Sequence, residues 1–478
     1  MLLPISTARR ENVPKRSAVK QLVEKHLCLS RIEMSGPDFS THQEYQADLG
    51  MVWGMAICWI VSCVLSGSAA AGDWPQILGP SRNGIAEEEH LSPRWRRGGP
   101  PELWRKPVGA GMAGVAIVGD RAALFHRVDN AEILEILDVR TGETLSQDAS
   151  RTTFQPQSGH QNGPLCVPVI SGNFLVSYGA QGLLTCLDFR TGQRRWQRNT
   201  HQDFKVSEGD HGAGSTPIVV DDRVIVNVGG DRMGAGIVAF ALATGEPLWK
   251  QTNESASDSA PVLVEINGMK LVVLVTRSQC LMLDPASGVI LFQFPFGQRG
   301  PVRNGANPVI MQDRLLVTAS NGTGMVYGEF DLFGFRPLYV GRGPIATQYC
   351  TPIHQNGFVY VIDGCEDVPP ADLKCIELAD LHSKTRASDQ PVSPISNSTA
   401  LKWTEQNFGY GTLLLADDKL IAVKNSGELL LIKPSPEALH IVSRCRPLKG
   451  FVRALPALSH GKLLIRNEKT LLCLELGR

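Results

Sequence analysis

The first candidate for chemistry in this 478-residue chain is a glycine run with the spacing of a nucleotide-binding loop. Gly109, Gly111 and Gly114 satisfy the pattern G-x-G-x-x-G. A dinucleotide fingerprint has to open a helix, because the helix N-terminus holds the pyrophosphate. The residues that follow, Val115 to Val118, form a short apolar run that ends at Gly119, which is typical of a strand and a turn. We therefore interpret the run as small residues at a crowded place in the fold.

Histidine and aspartate side chains suggest a second kind of chemistry, metal binding. His160, His201 and His211 lie in two loop-like stretches, with Asp203 and Asp210 nearby. Both residue types bind metals, but this spacing matches no specific site, and solvated loop residues are the simpler interpretation. The sequence has no H-E-x-x-H, G-x-S-x-G, P-loop or EF-hand pattern. We assign no catalytic residue and no metal ligand.

These residues are positioned by a repeat that runs through the chain from Gly72 onward. A short apolar run, a turn with Gly or Asp, a second run, a loop, a third run and another turn recur about every 49 residues. The first run begins at one anchor position in each repeat, namely Val115, Pro168, Pro217, Pro261, Pro308, Pro352, Leu413 and Pro456. Short apolar runs between such turns are strands, so each repeat predicts a four-stranded antiparallel meander.

The last repeat lacks its fourth strand, because the chain ends after Leu476. A matching segment stands near the other end of the repeats, at Glu102 to Arg105, where Trp104 takes the place of Trp196, Trp249 and Trp403. Pairing this segment with the last repeat leaves no open sheet edge within the ring. The sequence predicts an all-β fold, an eight-bladed β-propeller of four-stranded antiparallel blades closed by an N-terminal outer strand that completes the last blade.

The residues two positions before each anchor are all small, as expected for strands that crowd the propeller axis. They are Ala113, Cys166, Ser215, Ser259, Ala306, Cys350, Gly411 and Ala454. Cysteines in different blades cannot approach within the roughly 4.4–6.8 Å that a disulfide needs between Cα atoms. We therefore predict buried thiols at these positions. A disulfide stays open as an alternative for one pair, Cys350 with Cys365, on neighbouring strands of one blade.

The region before the repeats has the features of an export signal. Met51 to Leu65 is apolar and is followed by small residues up to Gly72. The run is shorter than the about 20 residues of a membrane span and fits a signal peptide cut near Ala71. We predict that residues 1–50 are a non-native or disordered extension, that 51–71 are a signal peptide and that 72–478 form a single propeller.

Export would place the protein in the periplasm or outside the cell. Two alternatives remain open for the apolar run. It is either a stray hydrophobic segment or part of a lipid anchor at Cys63, because Ile60 to Cys63 loosely resembles a lipobox. We expect membrane attachment only if Cys63 is lipidated.

The meander gives the propeller two different ends. The tight-turn end carries the turns between the first and second and between the third and fourth strands of each blade. The long-loop end carries the loops between the second and third strands and the connections between blades. Six candidate ligand-binding residues fall at the long-loop end, namely Arg127, His211, Arg277, Arg299, Arg303 and Arg453. Forked arginine donors suit an anionic ligand such as a carboxylate, a sulfate or an acidic peptide. The alternative is a set of solvated loop charges.

Overall charge limits the partners that the chain can have. It carries 47 basic and 47 acidic residues, so the net charge is zero with histidine neutral. This balance argues against nucleic-acid binding as the main function. We expect a monomer whose partner is a small anionic ligand or a protein.

Three segments carry a resemblance to a known family. The segment Cys186 to Trp196, CLDFRTGQRRW, resembles the pyrroloquinoline-quinone (PQQ) repeat, and DWPQ from Asp73 and GAGSTP from Gly212 resemble PQQ-binding-like propellers of bacterial secretomes. The resemblance spans about Asp73 to Leu476 and implies an eight-bladed propeller of the quinoprotein alcohol dehydrogenase-like superfamily. That superfamily includes dehydrogenases and non-enzymatic relatives such as the outer-membrane assembly propeller lipoprotein.

The chain departs from the enzymes of this superfamily. It has neither the adjacent Cys-Cys pair that they carry beside the quinone nor a Cys-x-x-Cys-His haem motif. We therefore carry over no catalytic residue and predict an exported, non-catalytic binding or scaffold propeller with its ligand or partner at the axial long-loop face. One alternative is a quinoprotein oxidoreductase for alcohols or sugars that uses PQQ and Ca²⁺. Another is a polysaccharide-acting propeller.

Overall fold

The computed structural model describes residues 72–156, 162–207, 211–298, 304–366, 368, 370–381 and 399–477. Their strands form eight antiparallel sheets, one per repeat, each ordered as a meander. This confirms the predicted eight-bladed β-propeller. We number the blades 1 to 8 in chain order and the strands of each blade first to fourth from the axis outward.

The strands follow the repeats closely. The first strands are Val115–Val118, Val169–Ser171, Ile218–Val220, Val262–Ile266, Val309–Met311, Ile353–Gln355, Gly411–Ala416 and Ala457–Ser459. The second strands are Arg121–Val128, Phe174–Tyr178, Arg223–Gly230, Met269–Val275, Arg314–Ala319, Phe358–Asp363, Lys419–Lys424 and Lys462–Arg466. The third strands are Ala131–Asp138, Leu183–Asp188, Ala235–Ala241, Gln279–Leu283, Gly324–Asp331, Asp372–Glu377, Leu429–Lys433 and Thr470–Glu475. The fourth strands are Thr144–Arg151, Arg194–Asn199, Pro247–Gln251, Ile290–Pro295, Gly334–Gly341, Leu401–Glu405, His440–Cys445 and, for blade 8, Glu102–Pro107.

Among the described residues, helical structure is confined to short turns. The α-helix Thr200–Asp203 follows blade 2, and the Asn199 side chain caps it by accepting a hydrogen bond from the backbone N–H of Gln202. Within the described residues, no helix has the length and apolar character needed to cross a membrane.

The ring closes as the sequence predicts. Glu102–Pro107 pairs antiparallel with Thr470–Glu475, which places Trp104 opposite Cys473. The corresponding tryptophans also face small residues of the third strand, since Trp196 lies opposite Cys186 and Trp403 opposite Cys375. One position of the repeat therefore holds a large aromatic side chain on the fourth strand and a small partner beside it.

These four tryptophans join blades 8, 2, 3 and 6 to the blade that follows each of them. The indole N–H of Trp104 donates to the carbonyl of Val139 in blade 1 at 2.7 Å, and Trp196 donates to Leu242 of blade 3 at 2.8 Å. Trp249 and Trp403 make the same bond to blades 4 and 7. The ring of Trp104 lies so close to Gly142 that a Cβ there would be 2.6 Å from it. The glycine of the Thr-Gly turn thus provides room for the tryptophan as well as the positive φ of the turn.

The small residues before the anchors are all buried, which agrees with crowding at the axis. The eight cysteines from Cys166 to Cys473 are free thiols, and six of them are buried. Cys350 and Cys365 are not bonded to each other. The interpretation as thiols is confirmed for the part of the chain that the structure describes.

Candidate functional site

The axis of the propeller holds a stretch of chain that precedes the first blade. We call Gly72–Ala86 the axial segment. It follows the inner wall of the ring in blade order. Hydrogen bonds join it to Ser459 of blade 8, Ile117 of blade 1, Ile170 of blade 2, Thr216 and Pro217 at the start of blade 3, Pro261 at the start of blade 4 and Asn307 at the start of blade 5.

The end of the axial segment reaches the remaining two blades. A Cβ at Gly84 would lie 2.8 Å from the side chain of Ile353 in blade 6. Ile85 and Ala86 then pair in parallel with the first strand of blade 7, giving that blade a fifth strand on its axial side. The segment therefore touches all eight blades.

Arg82 holds the axial segment in place from the centre of the ring. Its side chain is 1% exposed, and its Nη1 donates to the carbonyls of Pro261 at 3.0 Å and Thr216 at 3.3 Å. Nη2 donates to the carbonyl of Pro217 at 2.5 Å, and Nε donates to the Gln76 side chain at 2.8 Å. Burial lowers the pKa of Arg82 to about 9. Four of the five guanidinium donors are therefore engaged by neutral acceptors of the chain itself.

Of the predicted site residues, Arg127 points into the protein. It is 4% exposed, and its guanidinium donates to the carbonyls of Phe154 at 2.6 Å, Asn162 at 2.8 Å and Asp129 at 2.8 Å. These bonds fix the connection between blades 1 and 2. Arg466, at the end of the second strand of blade 8, is 1% exposed and donates to backbone carbonyls of the region around blade 1.

Arg453 lies in a different environment, in the connection between blades 7 and 8. Its Nε donates to a carboxylate oxygen of Glu366 at 2.8 Å, and both side chains are 13% exposed. The guanidinium carbon lies 3.9 Å from the centre of the Tyr349 ring, a cation–π distance. Burial lowers the pKa of Arg453, but the Glu366 carboxylate offsets this effect and the pKa is raised. No hydrogen bond to a described residue uses its terminal nitrogens, Nη1 and Nη2.

The neighbours of Arg453 come from three successive blades. Asn425, in the blade 7 loop, donates to the second oxygen of Glu366, which lies in the blade 6 loop. The hydroxyl of Tyr410 accepts from the backbone N–H of Tyr349 at 2.5 Å and thereby fixes the blade 5–6 connection. We call these five residues the Glu366–Arg453 cluster.

The remaining predicted site residues are spread along the long-loop end. Arg277 lies in the blade 4 loop and His211 in the connection between blades 2 and 3, and both are partly buried. Arg299 and Arg303 lie outside the described residues. Arg127 and Arg453 are bonded to different groups at different blades. The anion-binding role of the set of six stays a prediction.

Sequence reasoning missed two residues that organise the site. Arg82 stands in the segment GPSRNG, where a lone charged residue among turn-forming residues is the only signal. Glu366 was overlooked because a search for anion-binding cations takes no account of acids that pair with them. Such pairing depends on which loops meet at the long-loop end, and the repeat pattern carries no information about that.

A calcium-held quinone would need a set of oxygen ligands, including carboxylates, around one point. Among the described residues, no group of three or more His, Cys, Asp or Glu side chains could hold a metal ion. Burial raises the pKa of the axial Cys350 thiol to about 11, so it is protonated at neutral pH. We derive no reaction step through a PQQ–calcium site.

Comparison with known sequences places the chain among quinoprotein-like propellers. A family described as outer membrane protein assembly factor BamB matches residues 129–383, more than half of the chain. The quinohemoprotein alcohol dehydrogenase ADH-IIG of Pseudomonas putida is 28% identical over 149 residues, which is 29% of this chain and 19% of the enzyme. The chain thus matches about a fifth of that curated relative's length.

Solved structures share the fold at low sequence identity. BamB from Moraxella catarrhalis superposes with a TM-score of 0.54 at 12% identity, covering 79% of this chain and 99% of BamB. The quinohemoprotein alcohol dehydrogenase ADHIIG from Pseudomonas putida HK5 gives 0.58 at 11% identity, covering 85% of this chain and 80% of the enzyme. At these identities the comparison supports the propeller fold alone.

Proposed function

We propose, since the chain belongs to the family described as outer membrane protein assembly factor BamB, that it is an exported, non-catalytic binding propeller. Its partner contacts the long-loop end, where the connections of successive blades meet around the axis. The proposal treats the tight-turn end and the axial segment as the scaffold that holds these loops in position.

The observation that carries the proposal is the axial segment. The centre of the ring is built around the chain's own Arg82, which is bonded to the starts of blades 3 and 4. A cofactor at this level of the axis would have to displace a buried arginine and the four hydrogen bonds of its guanidinium. Interactions of this kind are each worth about 1.5–3 kcal/mol when the donor is charged. The interior is therefore better suited to a rigid scaffold than to an exchangeable quinone.

The alternative function is a PQQ-dependent oxidoreductase. The sequence similarity to quinohemoprotein alcohol dehydrogenase ADH-IIG favours it. Under this alternative the cofactor would bind at the long-loop end.

A quinone titration separates the two functions. Purified protein is titrated with PQQ in the presence of Ca²⁺ while quinone absorbance and the Tm are followed, and dye-linked dehydrogenase activity is assayed with alcohols and sugars. A quinoprotein alcohol dehydrogenase serves as the positive control. We expect no saturable binding at tens of micromolar and no turnover. Tight binding with substrate-dependent dye reduction would overturn the non-catalytic proposal.

Export is part of the proposal and has its own measurement. Expression of the full chain in a Gram-negative host, followed by fractionation and N-terminal sequencing, should yield a periplasmic product that begins near Gly72. Recovery of the uncleaved chain in the cytoplasm would contradict this part.

A further inference from the structure

The connection between blades 7 and 8 belongs to a stretch of unusual charge. No Asp or Glu occurs from residue 438 to residue 467, whereas six Lys or Arg residues do. Three of these cations, Arg446, Lys449 and Arg453, lie in the connection itself. The connection itself therefore carries three cations and no acid, while Glu428 and Glu468 lie in the loops of blades 7 and 8 on either side of it. The charge of the connection favours a negatively charged partner.

The connection is held rigidly although it is a loop. Leu448 and Val452 are 1% and 2% exposed, and the backbone N–H of Val452 donates to the carbonyl of Asn425 at 2.9 Å. Asn467 donates from its side chain to the carbonyl of Lys449 at 2.7 Å. These anchors leave the Lys449 side chain exposed, together with Phe451, which is 42% exposed. The loop backbone therefore holds an exposed cation and an exposed aromatic residue at fixed positions of the chain.

Arg453 adds a partly used guanidinium beside them. Its Nε is engaged by Glu366 and its face by the Tyr349 ring, which fixes its orientation. Because no described residue accepts from Nη1 or Nη2, the N–H groups of these two nitrogens remain for a carboxylate. The exposed Val368, in the same blade 6 loop as Glu366, supplies further apolar surface.

We propose that this surface, formed by Arg446, Lys449, Phe451 and Arg453 with Val368, binds an acidic segment of a partner protein that also carries apolar side chains. The proposal rests on the proposed function and specifies the chemistry of its partner. Charge complementarity identifies the acidic component, and Phe451 and Val368 identify the apolar one. A free polyanion such as polyphosphate has the negative charge but no apolar side chains. A side-chain carboxylate of the segment would accept two parallel N–H bonds from Arg453. The neighbouring cations would add an attraction that weakens as the salt concentration rises.

The test uses the full-length protein and a fluorescein-labelled peptide of alternating Glu and Phe residues, followed by fluorescence anisotropy. We expect saturable binding that weakens as NaCl is raised. Arg453→Gln should weaken binding at least tenfold, and Lys449→Ala and Phe451→Ala about threefold each. Glu366→Gln should act in the opposite direction and strengthen binding, because it removes the Glu366 carboxylate, which competes for Arg453. A merely structural role of the pair would make both Glu366 and Arg453 variants bind more weakly.

Matched controls come from the tight-turn end. Lys433→Ala and Phe333→Ala remove an exposed cation and an exposed ring there, and both should bind the peptide as the unmodified protein does. Unchanged affinity in Arg453→Gln and Lys449→Ala would overturn the inference, as would equal binding of polyphosphate of the same charge. Those results leave the non-catalytic proposal standing if PQQ also fails to bind. Quinone-dependent turnover would overturn the non-catalytic proposal, whether or not the peptide binds.

Discussion

The two ends of the propeller are held together in different ways. At the tight-turn end one contact recurs at four of the eight blade junctions, an indole N–H of one blade donating to a turn carbonyl of the next, as in Trp104 and Trp196. At the long-loop end each contact is individual, since Arg127 fixes one connection and Arg453 pairs with Glu366 at another. Repeated residues thus hold the tight-turn end together, whereas the long-loop end depends on polar residues that each occur once.

The largest expected effect comes from the arginine at the axis. Arg82→Leu leaves the carbonyls of Thr216, Pro217 and Pro261 without their donor, and we expect a loss of about 4 kcal/mol of stability. For a ring of this size that corresponds to a fall in Tm of about 5 °C. The control is Arg232→Leu, an exposed arginine at the long-loop end, which should change the Tm by less than about 1 °C. Equal Tm values for the two variants would show that the axial segment contributes nothing to the ring.

The closing tryptophan should have the next largest effect. Trp104→Ala removes a buried ring and its hydrogen bond to Val139, and we expect about 3 kcal/mol of destabilisation. Trp104→Phe keeps most of the ring and should lose about 1 kcal/mol, the contribution of the bond. Thermal unfolding of both variants measures the difference. If Trp104→Ala is as stable as Trp104→Phe, the packing of the aromatic ring against Gly142 does not contribute to stability.

A buried acid at the tight-turn end should make stability depend on pH. Glu89 is 2% exposed and accepts from the backbone N–H of Gly461, and burial raises its pKa to about 7. The unfolded state releases this proton near pH 4.5, whereas the folded state keeps it up to about pH 7. The free energy of unfolding is therefore higher at low pH and falls as the pH rises from about 4.5 to 7. We expect the unmodified protein to lose roughly 2 kcal/mol between pH 5 and pH 8 relative to Glu89→Gln. Urea unfolding at a series of pH values measures the free energy of unfolding of both proteins. If it changes with pH by the same amount in both, the pKa of Glu89 is not raised.

The smallest effect is expected at the long-loop end. Glu366→Gln preserves the shape of the side chain but removes its charge beside Arg453, and we expect about 1 kcal/mol of destabilisation because the pair retains some solvent contact. Urea unfolding at low and high salt measures it, and the loss should shrink as salt screens the pair. If Glu366→Gln lowers the free energy of unfolding as much as Arg82→Leu does, the long-loop pair contributes as much to stability as the axial arginine, and this prediction is wrong.

The parts of the fold that repeat could be predicted from the sequence. Eight anchors, the small residues before them and the match of Trp104 to Trp196 determine the number of blades and the closing strand. The axial segment could not be predicted, because it occurs once and its contacts lie in all eight blades. The burial of Arg127 had no sequence signal either, since a loop arginine facing inward looks the same as one facing solvent. The pairing of Glu366 with Arg453 depends on loops about 90 residues apart in the chain meeting in space.

The strand that closes the ring also has a consequence in time. Glu102–Pro107 is synthesised before blades 1 to 7, whereas its partner Thr470–Glu475 is synthesised after them. The axial segment likewise finds its full set of neighbours only after blade 8 exists. Individual meanders can form as they leave the ribosome. The edge of Glu102–Pro107 has no native partner until Thr470–Glu475 has been synthesised. Such long-range pairing folds slowly and exposes strand edges on the way. The edge of Glu102–Pro107 is therefore open to non-native pairing until blade 8 has been synthesised.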